Sequence, residues 1–411
     1  MTGFRLAATA GIAHRSEDGE VTVWRPSRGG GAWARLAVER DLADRWRLAT
    51  GDAPAGPTEG VACASSGEPT ERLVRIDEVN GLDAEAARER PSPRRRGPMD
   101  RSSPERLVSL STGAHDLTGR WLDLAAPLAL GSAGLVHGPQ GSGRTRTLQA
   151  VAAGALANAP DVRVVALLAR ARGEEVTDWR RRFPSAEVLA APSTESGAPA
   201  DERLLACELA LAFAQRRTEL GEHVLLAVDS LTAVWSDMLE TEEADAQREA
   251  DRSEARERVR EWMHAAGWFG GEGFLGGGLG GSLTVVASAW RTAVDAEAEE
   301  EGEVHPGLRM VEHTMDATTW SVALSGELAR SRRFPAIDPC GGRSRWEDVL
   351  TPPVLLERRL SVRRRLAALP MRDRHAAVME AIERSANEEE LLDALAEPER
   401  LQDGEERGGT R

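Results

Sequence analysis

One stretch limits the fold more than any other. GLVHGPQGSGRT runs from an apolar strand-like segment through a glycine-rich turn straight into TLQAVAAGALA, a small-residue helical pattern. Downstream, VRVVALLA, VLLAVDS and SLTVVASAW are near-continuous apolar runs, as expected of strands buried on both faces of a parallel sheet. Helical text separates them, so the expected fold class is α/β, a parallel sheet with crossover helices.

The chain before residue 107 reads differently. VTVW, ARLAV and LVRIDEV are candidate strands, and SEDGE, RPSRGGG and TGDAPAG supply turns, which together predict a small β-barrel over residues 1–83. Residues 84–104, rich in Pro, Arg and Ser, read as a linker. Residues 105–396 form the α/β domain, and 397–411 a disordered tail. Inside that domain the stretch from Glu240 onward, ETEEADAQREADRSEARERVREWMHAAG, is acidic and helix-forming. The glycine run GGEGFLGGGLGG follows it, and the text from Leu360 to Leu395 is helical.

Charge and composition exclude several classes. Net charge is -15, which argues against nucleic-acid binding by bulk charge. Cys63, Cys207 and Cys340 are far apart and lack paired histidines, so neither a disulfide framework nor a zinc site is expected, and a reducing cytoplasm is the expected compartment. No apolar run nears the ~20 residues of a membrane span, and the N-terminus lacks the apolar stretch of a signal peptide. The chain has no lysine and no tyrosine. Its basic side chains, histidine aside, are arginines, so a single Lys-to-Arg difference carries little weight.

Three constellations carry chemistry. In Gly138-Pro-Gln-Gly141-Ser142-Gly143-Arg144-Thr145, glycines let successive N–H groups turn toward one point and the next helix adds its dipole, a phosphate cradle. Thr145 offers a hydroxyl to Mg²⁺, and Arg144 stands where such loops carry lysine, with a wider, planar head. The bland alternative is a simple turn. Asp229 ends VLLAVDS, at the strand terminus where P-loop enzymes hold the magnesium ion; the alternative is a helix N-cap. The third is ARSRRFPAIDPCGGRSRWEDVL, with Arg332, Arg333, Phe334, Arg343 and Arg345, for which solvated surface arginines are the competing reading.

With those residues in view, the chain resembles the transcription termination factor Rho family of hexameric RNA-dependent ATPases. The matching text is DLTGRWLDLAAPLALGSAGLVHGPQGSGRT, RGEEVTDW, VLLAVDSLT, GGSLTVVASAW, RRFPAID and RRRLAALPMRDRHAAVMEAI, in family order over most of residues 105–395. RWRLATGD and LVRIDEVN resemble the family's OB-type domain faintly. The resemblance implies a RecA-like P-loop domain preceded by a reduced OB-type barrel, with ATP and Mg²⁺ as cofactors. It implies that Gly138, Gly141, Ser142, Gly143, Arg144 and Thr145 hold phosphate, that Thr145 and Asp229 serve Mg²⁺, and that Phe334 packs on adenine. Arg345, and more loosely Arg332, would be arginine fingers reaching a neighbouring subunit in a ring. Arg345 could instead pair with Glu347 or Asp348 on its own surface.

The departures are as specific. The family's catalytic glutamate lies in an Asp-Glu-Arg-Pro run that here reads Arg170-Ala171-Arg172-Gly173, which puts Ala171 at the glutamate position. Glu174 and Glu175 belong to the shared pattern and have another task. The loops that face RNA in the family are acidic here, from Glu240 to Asp251 and from Val294 to Glu303. Trp24 is the sole candidate for a base-stacking aromatic and reads more readily as core. The expectation is a ring, homo-oligomeric or shared with an ordinary Rho, that binds ATP, hydrolyses it poorly and grips RNA weakly. An active RNA-dependent ATPase and helicase is the alternative. A rotary-ATPase subunit is a third class, against which RRFPAID argues.

Overall fold

The computed structural model describes residues 10–27, 31–60, 71–89, 102–241, 249–269, 280–290 and 306–396. The chain divides into two compact units, residues 1–103 with 161–287, and residues 104–160 with 288–411.

The first unit begins with a meander of β1 (Ile12–Arg15), β2 (Val21–Arg25) and β3 (Ala34–Val38), followed by α1 (Arg40–Arg45). After β4 (Pro54–Ala55), β5 (Thr58–Gly60) and β6 (Glu71–Leu73) complete a sheet of order β1-β2-β3-β6-β5, in which β3 and β6 are parallel. The free edge of β1 is bound by Ala13 N–H to Asp52 O (2.8 Å) and Gly51 N–H to Ala13 O (2.9 Å), which bends the sheet toward a barrel. Val21, Val23, Leu36, Trp46 and Leu73 fill its interior. LVRIDEV, expected as one strand, is two: β6 ends at Leu73 and β7 (Glu78–Val79) pairs with β4, with β8 (Leu82–Asp83) beyond it. The cause is a close approach at Gly56, where the Arg75 carbonyl lies 1.9 Å from the place of a Cβ. At the head of the expected linker, α2 (Ala84–Ala87) is capped by Asp83; residues 90–101 lie outside the described part.

The second unit takes up the chain with β9 (Leu107–Val108), α3 (Leu117–Ala125) and β10 (Leu128–Ala129), then β11 (Ala133–Gly138) and α4 (Arg144–Asn158). The Asp116 carboxylate accepts from Gly119 N–H at 2.9 Å and starts α3, whose Trp121, Leu122 and Leu124 are buried.

Residues 161–287 return to the first unit. They comprise β12 (Val162–Leu168), α5 (Gly173–Arg182), β13 (Glu187–Ala190), α6 (Ala200–Glu219), β14 (His223–Asp229), α7 (Leu231–Glu240), α8 (Glu249–His264), β15 (Gly267–Phe269) and β16 (Gly281–Trp290), whose last three residues fall in the second unit. Strands run parallel in the order β13-β12-β14-β16, with Val164 to Leu168 and Val224 to Val228 buried as their sequences require. Helix α6 is buried along much of its length, the polar Arg203, Arg216, Arg217 and Thr218 included. It packs on β12 and β14 and also meets β1. The Trp33 indole N–H donates to Ala190 O at 2.7 Å, and buried Arg216 pairs with buried Asp52 at 2.8 Å.

The second unit closes with α9 (Pro306–Met315), β17 (Trp320–Ala323), α10 (Gly326–Arg330), β18 (Arg343–Ser344), α11 (Glu347–Leu350), α12 (Pro353–Ala367), α13 (Met371–Arg384) and α14 (Glu388–Ala396). Strand β17 is parallel to β11 and antiparallel to β18. The helical text at the end of the chain is thus three helices. Arg120 ties α3 to them by donating to Ile382 O (2.8 Å), Ser385 O (2.6 Å) and Asn387 O (3.1 Å). Among the described residues no helix is long and apolar enough to cross a membrane. Residues 270–279 of the glycine run and the 397–411 tail lie outside the described residues.

Candidate functional site

In the second unit β11 runs into the glycine turn and α4 begins at Arg144. Gly141 has φ 77° and Gly143, the N-cap of α4, φ 96°. An L side chain is strained at such angles, so glycine makes this turn feasible. Gly138 has no room for a Cβ, which would stand 2.7 Å from Leu324 Cβ. Ser142 is buried and its hydroxyl donates to Pro139 O at 2.7 Å, which holds the loop in shape. Thr145 is half-buried in the first turn of α4. A helix of 15 residues then directs its N-terminal N–H groups and dipole at this turn.

Arg144 folds back, its guanidinium donating to Gly138 O. To meet a phosphate it would exchange that bond, which a narrower ammonium does more readily.

Phe334 belongs to the same place. Its ring carbon Cδ1 lies 4.0 Å from the position a Cβ on Gly143 would take, and the side chain is 43% exposed. The segment is held from behind, where the buried His375 ring contacts Pro335 O at 3.0 Å and lies beside Trp121. An aromatic face thus stands open to solvent beside the loop. The unit brings the glycine turn and Phe334 together.

Arg332 and Arg345 are exposed. Arg332 sits at φ 58° in the turn after α10. The Arg345 backbone N–H is fixed to Thr319 O at 2.8 Å, and its guanidinium lies 5.5 Å from the Trp346 ring centre. It does not pair with Glu347. That carboxylate is buried and takes Arg363 at 2.6 Å and Arg359 at 3.5 Å. Among the described residues Arg345 has no ion-pair partner.

Asp229 lies in the first unit, half-buried at the C-terminal end of β14, in register with Leu168 of β12. Its carbonyl accepts Ala169 N–H at 2.8 Å, so the chain leaving β12 passes beside it. Ala171, two residues on, is buried. The Glu175 carboxylate accepts Arg172 N–H at 2.9 Å at the start of α5. Glu174 is exposed.

Sequence reasoning missed what lies next to Ala171. Arg170, at φ 57°, pairs with Asp237 (2.7 Å) and Glu240 (2.7 Å) of α7, and Arg203 of α6 pairs with the same two acids at 2.7 and 2.8 Å. Two cations and two carboxylates form a closed square whose Asp237 and Arg203 are buried. The only local signal was the unusual Arg-Ala-Arg text. Cys207 is fully buried nearby and burial pushes its thiol up, so it is no nucleophile. Trp24 is half-buried, with its indole N–H on Thr22 Oγ1 at 3.1 Å and Arg35 5.8 Å from its ring centre. The acidic segments at 242–248 and 294–303 lie outside the described residues; within the described part Glu240 ends α7, and α8 covers the later part of the expected helix.

The nucleotide-binding domain profile of the ATP synthase alpha/beta family matches residues 119–251. Similar curated proteins carry the name transcription termination factor Rho. That of Streptomyces lividans is 29% identical over 324 residues, 78% of this chain and 42% of that protein. That of Haemophilus influenzae is 27% identical over 353 residues, 85% and 78% of the two chains. That of Aquifex aeolicus is 27% identical over 370 residues, 89% and 79%. The chain therefore spans less than half of the first of these and nearly four-fifths of the other two. Among solved structures, an ATPase from the type III secretion system of pathogenic bacteria superposes with a TM-score of 0.53 at 18% identity, over 74% of this chain and 88% of that one. At that identity it speaks to fold alone, a RecA-like P-loop α/β fold.

Proposed function

The chain is a relative of the transcription termination factors Rho, and from that premise we propose that it is a ring-forming, ATP-binding protein that hydrolyses ATP poorly. One observation carries this reading. Ala171 offers a buried methyl group at the glutamate position, and its neighbour Arg170 is committed to Asp237 and Glu240. A methyl group cannot orient or deprotonate water, and a positioned base is worth ~10²–10⁴ in rate.

ATP binding is supported by the glycine turn, the helix behind it and the open ring of Phe334. The N–H groups from Gly141 to Thr145 would hold the phosphates, Phe334 the adenine, and Thr145 and Asp229 would serve Mg²⁺. Arg345, and secondarily Arg332, would complete a neighbour's site. In this reading residues 105–396 act as the ATPase domain, behind an OB-like region over 1–83 and a linker over 84–104. The carboxylates from Glu240 to Asp251 and from Val294 to Glu303 would weaken any grip on RNA, because affinity for a strand rests on cations that displace its counterions.

The test is to measure binding of a fluorescent ATP analogue and ATP turnover on the same preparation. Binding with little turnover supports the proposal; turnover matching an ordinary Rho removes it. The second reading, an active RNA-dependent ATPase in transcription termination, draws on the freedom of Arg345 and on Asp229 at its strand end. A subunit shared with an ordinary Rho is the corresponding hetero-oligomeric form.

A further inference from the structure

The second unit holds a cavity of about 390 Å³ that reaches Asn158, the last residue of α4. The glycine turn lies at the other end of that helix, about 21 Å away along its axis. We infer that this cavity is a binding site for a small aliphatic ammonium ligand, separate from any nucleotide. The hydrogen-bond donors of its wall are spent within the protein. The Ser109 hydroxyl donates to Asp123 Oδ2 at 2.8 Å, and the Thr112 hydroxyl to Asp116 at 2.9 Å. The Asn158 amide nitrogen donates to Ser109 O and Ser111 O, both at 2.8 Å. Buried Arg120 gives its N–H groups to the carbonyls of Ala114, Ile382, Ser385 and Asn387 and to Ser385 Oγ. The acceptors are not spent. Among the described residues, Asn158 Oδ1 receives no donor, the Glu388 carboxylate is bonded through Oε1 alone, and Asp123 has no ion-pair partner.

A ligand for such a wall must bring donors and positive charge. The charges that act on this place are the carboxylates of Asp116, Asp123, Glu388 and Glu390 and the guanidinium groups of Arg120 and Arg359, an excess of two carboxylates (four against two). A carboxylate held away from water without a cation is costly, and an entering ammonium offsets that cost. An ammonium is a compact point charge with rotatable donors, so it can meet Asp123 and the neighbouring acceptors together. Leu124 and Leu391 give the wall apolar surface on which a short alkyl chain can lie. The volume is at the small end of ligand sites, roughly 300–1,000 Å³, which suits a chain of a few carbons. Burial raises the Asp123 carboxyl to about 6, so its charge is present at neutral pH and lost in acid. An aliphatic ammonium, with a pKa of about 10.4 as in lysine, stays charged throughout that range.

The experiment uses the full chain, with putrescine as the probe, and follows binding by titration calorimetry and by the shift of the thermal midpoint at constant ionic strength. The wild type is expected to bind saturably at about pH 7.5 and to raise its midpoint as the probe is added. Affinity is expected to fall about tenfold per pH unit below about 6, as Asp123 takes up its proton. Asp123→Asn is expected to lose about tenfold or more in affinity, and the pH dependence with it. Because that change also disturbs the bonds from Leu110 N–H and Ser111 N–H, a second variant is needed. Ala386 lines the cavity and is exposed, so Ala386→Lys keeps the fold and brings a tethered ammonium to the mouth of the cavity. It is expected to suppress putrescine binding and to leave affinity for a fluorescent ATP analogue unchanged. Absence of saturable binding overturns the inference, as does binding that ignores both variants. A midpoint shift that sodium chloride reproduces is general screening and overturns it too. Magnesium chloride or inorganic phosphate that binds in this cavity where putrescine does not would make it a metal or an anion site, and would equally overturn it.

Discussion

Phe334 stands against Gly143, its ring carbon Cδ1 4.0 Å from where a Cβ on that glycine would be. The two residues are far apart in sequence, and their meeting places an exposed aromatic face at the start of α4.

Phe334→Ala is expected to weaken binding of a fluorescent ATP analogue by roughly 5- to 150-fold, since stacking of a base on an aromatic ring contributes ~1–3 kcal/mol. Thermal stability should change little, because the ring is 43% exposed. Unchanged affinity would place the adenine elsewhere.

Gly143→Ala should reduce the same affinity and also lower stability by ~1–2 kcal/mol, because a residue with a Cβ is strained at φ 96°. Equilibrium denaturation with and without ATP separates the two effects. Full binding with wild-type stability would show that the turn does not need the left-handed angle.

The Asp52–Arg216 pair is buried on both sides, at 0% and 2% side-chain exposure. Asp52→Ala takes one carboxylate from a buried guanidinium that also meets Glu219 and is expected to cost about 3–5 kcal/mol. A small shift in the denaturation midpoint would mean that the N-terminal sheet gains little from its attachment to α6.

Asp123 supplies a pH signature. Burial raises its carboxyl pKa to about 6 from an ordinary 3.8, against the pull of its bonds from Leu110 N–H, Ser109 Oγ–H and Ser111 N–H. A carboxyl group whose pKa is higher folded than unfolded holds its proton better in the folded state, so it favours folding in acid. That contribution is lost as pH rises from about 4 to about 6. The midpoint of wild type should therefore fall relative to Asp123→Asn across that window. A difference between the two that ignores pH would contradict the assignment.

Much of this was legible in the sequence. β11, β12, β14 and β16 fall on the apolar runs, and the glycine turn between β11 and α4 is a local pattern that needs only its flanking strand and helix to be placed. Phe334 and Arg345 were legible through resemblance and not through composition. What stayed hidden is long-range. Asp52 meets Arg216 across 164 positions, and Arg170 meets Asp237 across 67. A buried ion pair leaves no periodicity in the text, because either partner alone reads as an ordinary surface charge. The break in LVRIDEV was hidden for a related reason, since it depends on Gly56 passing Arg75.

The central claim is that ATP is bound and hardly hydrolysed, and steady-state ATP turnover at saturating RNA tests it most directly. The account predicts turnover ~10²–10⁴-fold below that of an ordinary Rho, with measurable ATP binding, and a gain of turnover in the Ala171→Glu, Arg144→Lys double variant. Turnover by the unmodified chain that equals an ordinary Rho would contradict it.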